Sequence, residues 1–209
     1  MPNLPISQLP SASIVTGSDV FAVVQGGTTK QTTLNTLING LTGSFVTTSS
    51  FNSYTSSVQS YYLSAYHTAS LTTAAQNTPY SMSFSTTDFA SGVTIGGPIR
   101  NRIQIANAGI YDIQFSAQVD KTSGTTVNGY IWLAKNGDDV TNSNTQITLA
   151  GGQADAEVAA WNWYVSASAG DYYEIRYGAS ETNFRIHYNT SQTVGPVIPS
   201  LILTVGRIG

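Results

Sequence analysis

The side chains able to do acid–base or metal chemistry are few in this chain, and their spacing limits what chemistry is open to it. There are two histidines: His67, inside a Ser/Thr-rich stretch, and His187, alternating with Arg185 opposite Phe184, Ile186 and Tyr188. A hydrolytic triad would have to use His187, and no nucleophile elbow stands out among the 25 serines. His187 therefore reads as a surface or subunit-axis side chain. Acid pairs occur at Asp138-Asp139 and at Asp155-Ala156-Glu157, spacings that fit a calcium loop or two carboxylates on one sheet face. Asn136-Gly137-Asp138-Asp139 coincides with an expected hairpin turn, where these residue types serve backbone geometry. Gly26-Gly27-Thr28-Thr29-Lys30 lacks the Walker spacing and a long following helix, and reads as another hairpin turn. The absence of cysteine removes thiolate nucleophiles, thiolate zinc sites, iron–sulfur clusters and disulfides. The expectation is a protein that is not an enzyme, with no catalytic residue, no metal and no cofactor.

Recognition chemistry is better supplied. Twelve tyrosines and three tryptophans offer rings that stack on sugars or anchor protein interfaces. Tyr172 points away from Tyr173, Ile175 and Tyr177 and shares a face with Glu174 and Arg176, so Tyr172 and Arg176 are the candidate receptor contacts. Two strands look apolar on both faces. In one, Val158, Ala160 and Tyr164 oppose Ala159, Trp161, Trp163 and Val165; in the other, Tyr130 and Trp132 oppose Ile131 and Leu133. A sandwich has one dry side per sheet, so a second apolar face requires a cover. A neighbouring copy is the economical cover, which makes Tyr130, Trp132, Trp161, Trp163 and Tyr164 candidate interface residues. A ligand groove or long covering loops are the alternative.

The strands that must position these residues announce themselves by alternation. In 111–119 every odd residue is apolar and every intervening one polar, the pattern of a strand with one buried face. The same rhythm recurs at Ile103 and Ile105, Ile131 and Leu133, Tyr173 to Tyr177, Phe184 to Tyr188 and Leu201 to Val205. With runs at 80–85, 146–149 and 156–166, about nine short strands fill residues 80–209, as in a sandwich or jelly roll.

Upstream the composition changes. Of 19 charged side chains, residues 1–79 hold only Asp19 and Lys30, while Ser and Thr make about a third of that stretch. Residues 1–40 read as a small module: β-type runs at Ile14-Val15, Val20-Phe21 and Val23-Val24 are broken by turns at 16–19 and 25–27, and followed by helical spacing at Leu34, Leu37 and Ile38. Residues 41–79 contain a direct repeat, Thr48-Ser49-Ser50-Phe51-Asn52-Ser53-Tyr54 then Thr55-Ser56-Ser57-Val58-Gln59-Ser60-Tyr61. Phe51, Tyr54, Val58, Tyr61 and Ala65 step by three and four, the seam of a coiled-coil stalk. An extended β-type stalk and a flexible linker remain open.

Charged residues make up 9% of the chain, against roughly 25% in an average soluble domain. A net charge of −3 argues against nucleic-acid binding, which requires clustered Lys and Arg. No apolar run reaches the roughly 18–20 residues of a membrane helix, and residues 1–10 lack the basic and apolar regions of a signal peptide. The expectation is no membrane insertion and no signal peptide.

Three spaced segments give residues 80–209 a resemblance to the C1q/TNF-like jelly roll: Ala108-Gly109-Ile110-Tyr111, Leu133-Ala134-Lys135-Asn136-Gly137 and Ala169-Gly170-Asp171-Tyr172-Tyr173. The terminal Ile198-Pro199-Ser200-Leu201-Ile202-Leu203-Thr204-Val205 departs from that family and looks like the closing strand of bacteriophage fibre proteins. Ile6-Ser7-Gln8-Leu9-Pro10, Thr16-Gly17-Ser18-Asp19 and residues 23–34 resemble an N-terminal module of phage tail fibres and related virion appendages. These resemblances imply a homotrimer of the virion: residues 1–40 dock onto other virion proteins, 41–79 form a stalk, and 80–209 form a head that meets a host cell-surface glycan or protein. A capsid head fibre, a decoration protein or a tail adaptor keeps the same fold without receptor binding. A polysaccharide depolymerase would need a pair of positioned carboxylates, and no such pair is obvious.

Overall fold

The computed structural model describes residues 14–41, 48–57, 60–152 and 156–209, in two compact units that divide between residues 59 and 60. The first unit holds a hairpin and two helices. Strands β1 (Val20–Gln25) and β2 (Thr28–Thr33) pair through six residues each. Gly26 and Gly27, both at positive φ (60° and 77°), make the two-residue turn that matches the twist of the strands. Helix α1 (Leu34–Leu41) follows at once, because the Thr33 hydroxyl accepts from the Thr36 amide at 3.2 Å and caps the helix. The 16–19 turn braces the same end: Leu34 and Asn35 amides donate to the Asp19 and Gly17 carbonyls. Helix α2 (Thr48–Ser57) carries the first copy of the heptad repeat.

The second unit, residues 60–209, is mostly β, two curled antiparallel sheets compatible with a jelly-roll sandwich. Its strands in chain order are β3 (Tyr62–His67), β4 (Leu71–Thr72), β5 (Tyr80–Ser81), β6 (Thr86–Ser91), β7 (Val93–Gly96), β8 (Arg102–Ile105), β9 (Gly109–Lys121), β10 (Val127–Lys135), β11 (Asp138–Asp139), β12 (Thr145–Leu149), β13 (Ala156–Ala167), β14 (Tyr172–Ala179), β15 (Phe184–Ile186) and β16 (Leu201–Arg207). In one sheet β12 and β11 pair with β10, β10 with β14, β14 with β8 and β5, and β8 with β7. In the other, β13 pairs with β9, β9 with β16, β16 with β3 and β3 with β6, while β15 pairs with the end of β9 and with β4. The alternating residues of both sheets meet in one core. Tyr111, Ile113, Phe115, Leu201 and Leu203 come from one side; Ile103, Ile131, Leu133, Tyr173 and Ile175 come from the other.

Two boundaries differ from the sequence reading. The β unit begins at Ser60, not at residue 80, and the stalk seam does not run through Tyr61. Tyr61, Leu63, Ala65 and His67 turn inward with period two, because β3 pairs with β16 and their side chains join the core. Pairing with a strand far along the chain overrides the three-four spacing. Helix α2 therefore carries only Phe51 and Tyr54 of the expected seam, both exposed, and Val58 lies outside the described residues. The strand expected over 80–85 shortens to β5, while Met82 and Phe84 continue into the core. The Ile6 to Pro10 segment and Asp155 also lie outside the described residues.

Candidate functional site

The sandwich presents two outer faces of opposite chemistry. On the face over β10 and β14, the register sets Trp132 opposite Arg176 and Tyr130 opposite Gly178. The Asn136-Gly137 turn, with φ of 53° and 99°, brings Asp139 back beside them. Trp132 Nε1 donates to Asp139 Oδ1 at 2.7 Å, and Arg176 Nη1 donates to the same oxygen at 2.8 Å. Arg176 Nη2 reaches Glu174 Oε2 at 3.1 Å and the Gly137 carbonyl at 2.9 Å. Buried Glu174 also accepts from Asn101 Nδ2 at 2.5 Å and faces Arg102 at 3.6 Å, and the Arg102 guanidinium stacks 4.2 Å from the Tyr172 ring centroid. Partial burial works against the Arg176 charge, but its hydrogen bonds to Glu174 and Asp139 outweigh it and raise its pKa above the usual value. At the end of this face Asp171 accepts from Lys135, Asn136 and the Ser168 amide, which holds its carboxyl at about 2.

The opposite face, over β13, β9, β16 and β3, is almost without charge. Three cross-strand rows run Tyr164–Asp112–Gly206–Tyr62, Asn162–Gln114–Thr204–Ser64 and Ala160–Ser116–Ile202–Tyr66, with Asp112 the one charged side chain in them. That carboxylate is already engaged, accepting from Asn162 at 2.8 Å and Gln114 at 2.6 Å. Tyr164 is 68% exposed, Val158 60% and Ile202 44%. Tyr62 meets Phe89 edge-on at 5.8 Å on the same sheet.

The five expected interface residues therefore do not share a surface. Tyr130 and Trp132 lie on the charged face, and Tyr164 lies on the uncharged one. Trp161 and Trp163 point inward, half-buried, where they pack on Phe115 with ring centroids 4.8 and 5.2 Å away. The inward set of β13 thus packs against the core of its own chain. Tyr172 and Arg176 lie on one face as expected, and the structure adds Trp132, Tyr130, Asp139 and Arg102 beside them. The sequence signal for that grouping was the polar phase of β10 and β14, but the register joining the two strands was missing.

His187 is tied to the surface. Its amide donates to the Gln118 carbonyl at 2.6 Å, and its Nδ1 lies 3.5 Å from the Ser70 hydroxyl. His67, placed by sequence in the stalk, is instead buried in β3, where desolvation lowers its pKa. Among the described residues no group of three or more His, Asp or Glu side chains could hold a metal ion. No described helix is long and apolar enough to cross a membrane. No protein-family model matches the chain, and no curated protein matches it.

Proposed function

We propose that the protein is a non-enzymatic structural and adhesion protein of a bacteriophage particle, a homotrimeric fibre with a receptor-binding head. The observation that carries this reading is the charge-poor outer face of the β13–β9–β16–β3 sheet, where the Asp120 carboxylate toward the end of β9 is paired with Arg185. Its exposed Val158, Tyr164 and Ile202 stand among serine, threonine and amide side chains, with one carboxylate, hydrogen-bonded by two amides, in three rows. Such a face can self-associate while burying little charge, and its one carboxylate in these rows keeps two amide donors. Tyr164 is then the trimer contact among the residues expected from sequence, with Phe51 and Tyr54 of α2 as a short seam before the head.

In this reading the hairpin and helix within residues 1–40 dock on other virion proteins. Val20, Val24, Leu37 and Ile38 stay exposed there, apolar surface suited to a partner. The head, residues 60–209, leaves its β10–β14 face outward toward a host cell-surface glycan or protein. Three heads on one axis turn weak single contacts into avidity.

Size-exclusion chromatography with light scattering tests the assembly. The expected mass is about three times the 22.1 kDa of one chain. A wild-type protein that runs as a monomer at micromolar concentration would overturn the fibre reading.

A further inference from the structure

Gly178 has no side chain where β14 runs opposite Tyr130, and a Cβ placed there would meet the Thr78 carbonyl at 3.1 Å and the Trp132 ring at 3.7 Å. The space kept open is a cavity of about 390 Å3, toward the small end of the roughly 300–1,000 Å3 typical of small-molecule sites. Tyr130, Trp132, Asp139 and Asn144 line it together with residues 77–79. The bond from Trp132 Nε1 to Asp139 Oδ1 fixes the angle of the indole, so the ring is positioned before any ligand arrives. Asp139 is anchored a second time by Arg176, and its Oδ2 has no protein partner among the described residues.

A pyranose ring matches this arrangement. One side of the sugar is a patch of C–H groups that packs on an aromatic face, and its edge is a row of hydroxyls that pair with carboxylate and amide groups. The charge balance narrows the class. Arg176 is held by Asp139 and Glu174, so the cavity offers no uncommitted cation for an acidic sugar, and Asp139 would repel one. We propose that this cavity binds a single neutral pyranose residue, with Trp132 and Tyr130 against its C–H face and Asp139 and Asn144 on its hydroxyls. As a glycan contact, Trp132 rests on the adhesive reading above; the number of chains in the assembly does not enter.

Saturation-transfer NMR on the full chain provides the test, with glucose, galactose and N-acetylglucosamine as neutral probes and glucuronic acid as the charged one. Expected is saturation of the ring protons of at least one neutral sugar, saturable in the millimolar range usual for so small a ligand. Trp132→Ala should weaken it about tenfold or more, and Asp139→Asn or Asn144→Ala, at the rim, about threefold with an unchanged melting temperature. Tyr164→Ala, on the opposite face, should leave it unchanged. Binding of glucuronic acid alone, no transfer to any neutral sugar, or full binding by the folded rim variants and Trp132→Ala would overturn the assignment. A trimer that binds no sugar would remove the sugar site and leave the fibre standing; a sugar-binding monomer would do the reverse.

Discussion

The two outer faces of the head are built on strands that share one core, yet they solve opposite problems. Over β10 and β14, Glu174, Arg176, Asp139 and Arg102 are locked into a ladder around Trp132 and Tyr172, so the aromatic rings are held at fixed angles beside defined polar groups. Over β13, β9 and β16, hydroxyl, amide and aliphatic groups predominate, with Asp112 and the Arg185-paired Asp120 the carboxylates on β9. The contrast teaches that exposed aromatics on a β sandwich are not one class. Trp132 is oriented by an acceptor, whereas Tyr164 stands exposed on a face with few directional partners.

The largest effect should come from breaking what both faces share. Phe115 stands in the core against Trp161 and Trp163, so Phe115→Ala should cost about 3–5 kcal/mol in denaturant unfolding and disturb both faces together. Next, Tyr164→Asp combined with Ile202→Asp should reduce the scattering mass to that of one chain while the far-ultraviolet circular dichroism stays unchanged. A persistent trimer would show that the uncharged face is not the contact.

A smaller effect separates the faces by stability alone. Glu174→Ala leaves the buried Asn101 amide without its acceptor and should cost about 1–3 kcal/mol, whereas Asp112→Asn on the other face should stay within about 0.5 kcal/mol. Equal losses would dissolve the distinction.

The smallest effect is read from pH. The His67 pKa is lowered by burial, so its contribution is present above the ordinary value of 6.5 and fades as the pH falls from there through the folded value. Asp171, lowered from 3.8 to about 2, contributes above 3.8 and loses that contribution as the pH falls toward 2. Melting temperatures should therefore drop in two separate windows. His67→Gln should flatten the first, and Asp171→Asn the second.

Strand β9 was legible because five consecutive odd positions, 111 to 119, are apolar and nothing competes with period two there. Strand β3 was not, since Tyr61 and Ala65 satisfy both a heptad and an alternating strand, and only pairing with β16 decides between them. β6 was not among the expected strands because Thr86–Ser91 shows no apolar alternation; it is a strand on account of β3 beside it. Both turns announced by Asn, Gly and Asp stand where expected, since positive φ is a local demand. The candidate site was half legible. Tyr172 and Arg176 followed from phase within one strand, but Trp132 could not be grouped with them because no local pattern shows that β10 lies beside β14.

The position of β16 sets the order in which the head can form. It lies between β9 and β3, so the strand that leaves the ribosome after all the others is an inner one. Until it emerges, β9 and β3 each present an open edge of unpaired amides and carbonyls, a template for pairing with any nascent chain close by. Pairing of β16 closes both edges at once, so the hazard of strand-swapped misassembly is confined to the interval before it docks.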